Sequence, residues 1–416
     1  MREIPSDHSI DNTLQLLQEG YRFITNRCER LQSNIFQTRL LLKKTICLRG
    51  EEAARVFYDN EKFSRKNAAP KRVQKTLLGE GGVQGLDGET HRQRKQIFMS
   101  LMTPNNMAYL IELTQQQWQA AAKQWEQRDR IVLLDAAHEV LCRAVCAWAG
   151  VPLPESEVDQ RTQDLAAMID GAGGIGLRYL RARWGRRQTE KWVKSVLDQI
   201  RSHALKVPES SAAYAFAWYH TPTGELLDQH AAAVDLINVL RPVVAIAQYI
   251  TFAALALYQH PECYEKLKAE ADYQELFTQE VRRFYPFFPF AAARVKQPFD
   301  WHDYHFPEGV QVLLDLYGTN HDPQVWENPE EFQPERFREW NGSSYNFIPQ
   351  GGGDFKMHHR CAGEWITIDI MKMTLDFLVN SIQYDVPPQN LEMSLSRIPT
   401  VPKSGFIIKH VKCIGF

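Results

Sequence analysis

The sequence predicts a mainly α protein with a small β-sheet region, and three observations carry that expectation. Apolar residues recur at three- and four-residue spacing along much of the 416 residues. Strand-like runs are short and few. No Pro-, Gly- or Ser-rich linker divides the chain, so residues 1–416 read as one domain, although length alone would allow two or three of ~150 residues.

Taken in order, the helical spacing covers residues 13–19, 107–126, 133–148, 190–205, 227–258, 275–284 and 365–382. Strands are expected at 45–49, 310–316 and 405–411. The apolar run 243–258 is interrupted by Gln248 and falls short of the ~20 apolar residues that span a membrane. Two glycine-rich stretches, GEGGVQGLDG at 79–88 and GAGGIG at 171–176, neither follow a clear strand nor hold the Lys-Ser/Thr pair of a phosphate loop. They read as flexible loops over a pocket. The segment 178–194, RYLRARWGRRQTEKWVK, is basic with interleaved aromatics. It could touch nucleic acid or lipid, but a solvated helix face is the preferred reading in a nearly neutral chain.

Lysine plus arginine is 48 and aspartate plus glutamate is 50, a net charge of −2. That balance gives no global reason to bind nucleic acid or an anionic membrane. With 44% hydrophobic and 24% charged residues the chain is globular rather than disordered. Its seven cysteines are odd in number and scattered, so no disulfide framework is expected. The N-terminus shows no apolar run of the signal-peptide kind. A soluble protein of a reducing cytoplasm is the simplest expectation.

The sharpest chemical feature is FIPQGGGDFKMHHRCAGE at 347–364. It sets Cys361 after a glycine-rich loop and before an amphipathic helix. A helix N-terminus stabilises a thiolate, and glycines let a backbone approach a flat ligand. Such a thiolate can be the axial ligand of haem iron. A small buried hydrophobe is the plain alternative. Zinc on His358, His359 and Cys361 is another, weakened by the absence of C-x₂₋₄-C spacing. Upstream, Glu280 and Arg283 form E-x-x-R on one helical face, and FQPERF follows with Arg336.

E-x-x-R, then P-E-R-F, then a glycine-loop cysteine, in that order, resembles the cytochrome P-450 superfamily. The resemblance implies that fold, with haem b buried between a long distal helix and the proximal cysteine loop. It implies Cys361 as the iron ligand and Glu280, Arg283 and Arg336 as a structural triad. The 14 residues from Phe347 to Cys361 exceed the common signature, which leaves open which aromatic shields the sulfur.

Monooxygenases of this superfamily carry an acid–alcohol pair in the distal helix. The matching segment here, AAAVDLINVLRPVVAIAQYITFAALAL at 231–257, has Arg241-Pro242 instead. Pro242 lacks an N–H and is expected to bend the helix. Arg241 stands among Leu240, Val243 and Val244, so its guanidinium needs a partner. An internal salt bridge to Asp235 or Asp315 is one possibility. A carboxylate arriving with the substrate is the other, since a guanidinium fork matches a carboxylate in bidentate geometry.

With NVLRPVVAI, GLDGETHRQRK, IPQGGGD and HRCAGEW, the whole chain resembles the bacterial fatty-acid peroxygenases. That resemblance implies hydroxylation of long-chain fatty acids at the α carbon, with the β carbon second, by a haem-thiolate oxidant. Hydrogen peroxide would be co-substrate, with no redox partner, no nucleic acid and no membrane span. The substrate carboxylate, paired to Arg241, would serve as general acid–base. Gln84 falls in the loop near the distal face, Leu78 at a pocket position, and Phe287 and Phe288 along the substrate tunnel. Arg65, His91 and Lys95 are candidates for the haem propionates. Competing readings are a peroxide-driven decarboxylase giving terminal alkenes, a reductase-dependent monooxygenase, and a non-catalytic haem- or fatty-acid-binding protein.

Overall fold

A computed structural model describes residues 2–414. The site is positioned by α1 (Gly88–Ser100), α2 (Pro104–Trp125), α3 (Leu133–Ala149), α4 (Val158–Asp170), α5 (Leu177–Arg201), α6 (Gln229–Gln259), α7 (Tyr273–Phe284) and α8 (Glu364–Asp376). Local chemistry sets several ends. Thr103 accepts the Asn106 amide ahead of α2, with Pro104 at its first position. Gly150 closes α3 in the left-handed conformation.

The segment expected to be the distal helix is α6. Its sequence is apolar on every side, so the only stable place for it is the interior. Every residue from 232 to 257 except Pro242 is buried, and α3, α4, α5 and α8 pack around it. Asp228 caps it, accepting the Ala231 amide at 3.0 Å. It is long and apolar enough to cross a membrane, but that surface is spent on the protein core. The helix continues through Pro242 without a break. Pro242 offers no N–H, so the Asn238 carbonyl loses its ladder bond there.

The main sheet has five strands in the order Ile35–Leu40, Lys43–Leu48, Gln311–Asp315, Phe290–Val295 and Phe63–Ser64. Lys43–Leu48 and Gln311–Asp315 run parallel; the other neighbours are antiparallel. A smaller sheet joins Ile131–Val132, Ile407–Cys413 and Ile382–Asp385.

Two helices differ most from the expectation. Helix α5 starts at Leu177, not 190, and ends at Arg201. Its first turns bury Ala182, Gly185 and Arg186 rather than large apolar residues, so the periodicity was masked. Gly185 is required there, since a Cβ would come within 2.7 Å of the Asp164 carbonyl oxygen. The C-terminal helix ends at Asp376 and unwinds through a wide turn at Phe377–Ser381. Ile382 pairs with Cys413 in the small sheet, and that pairing overrides helical spacing.

Candidate functional site

A cavity of about 390 Å³ separates α6 from the segment that carries Cys361. Cys361 is accessible only in part, because the cavity opens beside it. Its amide donates to the Gln350 carbonyl at 3.1 Å. Lys95 of α1 reaches across and donates to the carbonyls of His358 and Arg360, the latter at 2.8 Å. Glu364 accepts from Arg282 at 2.5 Å and from Arg360 at 2.7 Å, fixing the start of α8. Gly353 has φ +81 and lies against His358, a tight turn only glycine allows. Burial pushes the Cys361 thiol above its ordinary pKa, partly offset by the Gly363 amide. The Gln350 side-chain amide lies 3.8 Å from the sulfur, while its oxygen faces Arg282. Phe347 is elsewhere, among Trp326, Phe337 and Trp340. The long loop thus sets an amide, not Phe347, against the sulfur.

Glu280, Arg283 and Arg336 meet in the interior. Both oxygens of Glu280 take Arg283 at 2.7 Å, and Arg336 Nε lies 3.2 Å from Oε1. Arg283 also donates to the carbonyls of Asn320 and Pro329 at 3.1 and 2.9 Å. Asn320 Oδ1 in turn accepts the Ile348 amide at 2.9 Å, so the triad connects to the cysteine loop.

Arg241 lies on the α6 wall of the same cavity and is 6% exposed. One guanidinium nitrogen donates to Asn238 Oδ1 at 3.2 Å, and Nε has no partner among the described residues. Neither acid proposed for an internal pair is available. Asp235 accepts Arg94 Nε at 2.7 Å and the Val83 amide at 3.0 Å. Asp315 accepts Thr25 and the Gly318 amide at 2.8 and 2.7 Å. Burial, reinforced by repulsion from Arg186 and opposed by Cys361, lowers the Arg241 pKa to about 9. The guanidinium remains charged at neutral pH but uncompensated.

Gln84 is not a solvent-facing loop residue: it lines the cavity and its Oε1 accepts Asn238 Nδ2 at 3.1 Å. Asn238 also donates to the Leu78 carbonyl at 2.8 Å. Leu78, Phe287 and Phe288 line the cavity. A narrow apolar extension runs on from Arg241 past Leu77, Ile169 and Phe288 to Ile398 and Pro399. His91 and Lys95 are on the wall, His91 stacked on His359 at 3.8 Å between centroids. Burial lowers His91 to about 4 and Lys95 to about 8. Arg65 stands behind the wall, where its charge acts on His91 and His359. Its guanidinium lies over Phe57 and donates to the Ala292 carbonyl at 2.9 Å, which directs it into the protein.

Asn238 and Gln350 were not singled out by sequence. Asn238 carries a legible signal, lying one helical turn before Arg241 in NVLR. Gln350 carries none beyond its place in the loop. Zinc is not supported: among the described residues no three His, Cys, Asp or Glu side chains form a metal-sized group, and His358 Nδ1 accepts the Asp354 amide.

The cavity fits a flat iron-bearing group. A Cβ on Gly363 would meet nothing within 4 Å, a partly exposed thiol faces the opening, and two buried basic side chains flank it. A family model described as Cytochrome P450 matches residues 244–409. Taxoid 2-alpha-hydroxylase of Taxus canadensis is 24% identical over 94% of this chain and 84% of its own. Among solved structures, cytochrome P450SP alpha (CYP152B1) is 52% identical with a TM-score of 0.96, covering 98% of this chain and 100% of its own. Cytochrome P450EX alpha (CYP152N1) with myristic acid is 47% identical with a TM-score of 0.97, both chains fully covered. A point variant of cytochrome P450 OleT with arachidonic acid is 39% identical, also fully covered, with a TM-score of 0.97. The chain belongs to the cytochrome P450 family, and within it to the CYP152 group.

Proposed function

We propose that this protein hydroxylates long-chain fatty acids at the α or β carbon using hydrogen peroxide, without a redox partner. One observation carries the reading: a buried guanidinium with no carboxylate partner among the described residues shares a cavity with Cys361. The fatty acids named with the CYP152 neighbours support the substrate class. Cys361 would hold haem b, with His91 and Lys95 towards its propionates. When bound, that group supplies the oxidising chemistry.

The chain's own contribution is positioning and proton handling. Asn238 holds Arg241, and Gln84 and the Leu78 carbonyl hold Asn238. Arg241 pairs with the incoming carboxylate and removes the cost of its own isolation. The paired carboxylate occupies the place of an acidic side chain. It accepts a proton from the near oxygen of peroxide and returns it to the far one. Leu78, Phe287 and Phe288 enclose the alkyl chain, so only its first carbons come within reach of the oxidising centre. The Glu280–Arg283–Arg336 cluster would keep the cysteine loop in register.

The test is product analysis with tetradecanoic acid and peroxide alone. The expected products are 2- or 3-hydroxytetradecanoic acid, and methyl tetradecanoate should be left unconsumed. A terminal alkene as main product would assign decarboxylation instead. Turnover only with NAD(P)H and a reductase would assign a conventional monooxygenase.

A further inference from the structure

Three tyrosines take no part in the chemistry proposed above, yet they run in line from the cavity towards the surface. Arg241, Ala245 and Tyr249 follow one another at four-residue spacing on one face of α6, and all three line the cavity that holds Cys361. The Tyr249 ring stacks on Phe287 at 4.4 Å between centroids. Tyr21 donates its phenol O–H to the Phe287 carbonyl at 2.8 Å, and its ring meets that of Tyr317 edge-on at 5.5 Å. Tyr249 and Tyr21 are fully buried, Tyr317 only half. Beyond Tyr317 stands the exposed pair Arg22–Glu330 at 3.2 Å, whose carboxylate joins burial in pushing the Tyr317 phenol up to about 12.

Tyr249 is the anomaly in this line. Its hydroxyl is buried, with no hydrogen-bond partner among the described residues. A buried phenol normally finds one, and leaving it without costs ~1–3 kcal/mol. Phenylalanine would keep the stack on Phe287 at no such cost, so packing does not account for the O–H. What a phenol has and a phenyl ring lacks is an accessible one-electron oxidation. An unsatisfied polar group on the wall of a redox cavity is explained by such a role. The oxidising chemistry proposed for this cavity supplies the oxidant.

Two other oxidisable rings line the cavity. Trp148 gives its N–H to the Asn106 carbonyl at 2.8 Å and stacks on no other ring among the described residues. Tyr58 reaches the half-buried ring of Trp301 only across Phe57, Phe63 and Phe306. That route crosses three phenyl rings in succession, whereas Phe287 alone stands between Tyr249 and Tyr21.

We propose that Tyr249, Tyr21 and Tyr317 form a relay that carries oxidising equivalents out of the cavity when no substrate C–H bond is in reach, giving the protein a one-electron activity towards phenols at its surface. Tyr249 gives one electron to the oxidised haem and its O–H proton to cavity water. An electron from Tyr21 restores Tyr249, which takes that proton back, while the Tyr21 proton stays in its bond to the Phe287 carbonyl. Tyr317 restores Tyr21 and releases its own O–H proton to solvent. A hydrogen atom from an external phenol then re-forms the Tyr317 O–H. Two such passages, with two protons drawn from water, return the haem to rest. In sum, one hydrogen peroxide and two phenols give two phenoxyl radicals and two waters. Peroxide as the source of oxidant rests on the proposed function; the relay does not, because a peracid oxidises such a haem without a bound carboxylate.

The test is to mix the ferric holoenzyme with a peroxybenzoic acid, without fatty acid, freeze it and record the electron paramagnetic resonance spectrum. A tyrosyl radical is expected, its splitting collapsing when ring-deuterated tyrosine is incorporated. In a parallel sample a nitroso spin trap should label Tyr317, read by peptide mass spectrometry. Tyr249→Phe keeps the stacked ring and should lose both the radical and the Tyr317 label. Tyr317→Phe should lose the oxidation of a phenol coupled to dextran, which is too large for the cavity, while its haem spectrum stays that of the wild type. A wild type with no tyrosyl radical, a Tyr249→Phe protein that still labels at Tyr317, or a Tyr317→Phe protein that oxidises the dextran-bound phenol like the wild type would overturn the proposal. Product analysis with tetradecanoic acid decides the fatty-acid reading separately.

Discussion

Replacing Arg241 by leucine should make the protein more stable and inactive at once. The guanidinium is 6% exposed, lacks a carboxylate partner among the described residues, and has its pKa lowered from the ordinary guanidinium value to about 9. At 1.36 kcal/mol per pKa unit, holding that charge in the fold costs roughly 5 kcal/mol. Because the folded pKa is the lower one, the unfolded chain binds this proton more tightly. The penalty is therefore absent above the ordinary guanidinium pKa, grows as pH falls from there to about 9, and is fully in force at neutral pH. An apolar side chain of similar bulk removes it, and replacing buried charge in this way stabilises by ~1–4 kcal/mol. For a chain of this length each kcal/mol raises Tm by about 1 °C. The assay is thermal melting of the holoenzyme with and without tetradecanoate. The wild type should gain about 3 °C from ligand at a hundredfold excess over Kd, and Arg241→Leu should start higher and gain almost nothing. Its kcat/KM should fall about 10³-fold or more. The same pKa fixes the pH response: affinity for the acid stays level through neutral pH and weakens up to tenfold per pH unit above about 9. A variant that melts several degrees lower, or that tetradecanoate protects as fully as the wild type, refutes the reasoning.

Asn238→Ala removes a bond to a charged group worth ~1.5–3 kcal/mol, so KM for tetradecanoate should rise at least tenfold in steady-state assays. Asn238→Asp places a carboxylate beside Arg241 and should abolish fatty-acid binding, read by titration of the haem absorption band. Cys361→Ala should lose the thiolate-type carbonyl spectrum of the reduced haem; an unchanged spectrum would move the axial ligand elsewhere. Glu280→Gln strips the carboxylate shared by the buried Arg283 and the half-buried Arg336 and should cost ~3–5 kcal/mol in urea unfolding.

Where the sequence was legible, one physical signal dominated. Helix α6 could be read because its apolar run has no polar face to misplace, and Cys361 because a glycine loop feeding a helix is rare local chemistry. The start of α5 was illegible because its buried face is Ala182, Gly185 and Arg186, which looks like surface in any hydrophobicity pattern. Arg65 was legible only in part, for a related reason. Sequence shows a cation near the right loop, but only packing shows its guanidinium spent on Phe57 and Ala292. Gln350 meets the sulfur through the length of the loop, a distance in space that no residue spacing encodes.

The two polar charges of α6 show why the isolation of Arg241 is not an accident of packing. Asp235 precedes it by six residues, about 240° around the helix, so the nearest acid in sequence faces a different neighbour. That acid is fully used: it holds Arg94 of α1 and the Val83 amide, which fixes the 78–85 loop against α6. The loop then presents Gln84 to Asn238, and Asn238 holds Arg241 through a neutral oxygen. Each link orients the guanidinium, and none neutralises it. A chain selected for stability alone would exchange Asn238 for aspartate, a one-residue change at hydrogen-bond distance. Keeping an amide there leaves the charge available to a carboxylate from outside, which is the condition the proposed chemistry requires.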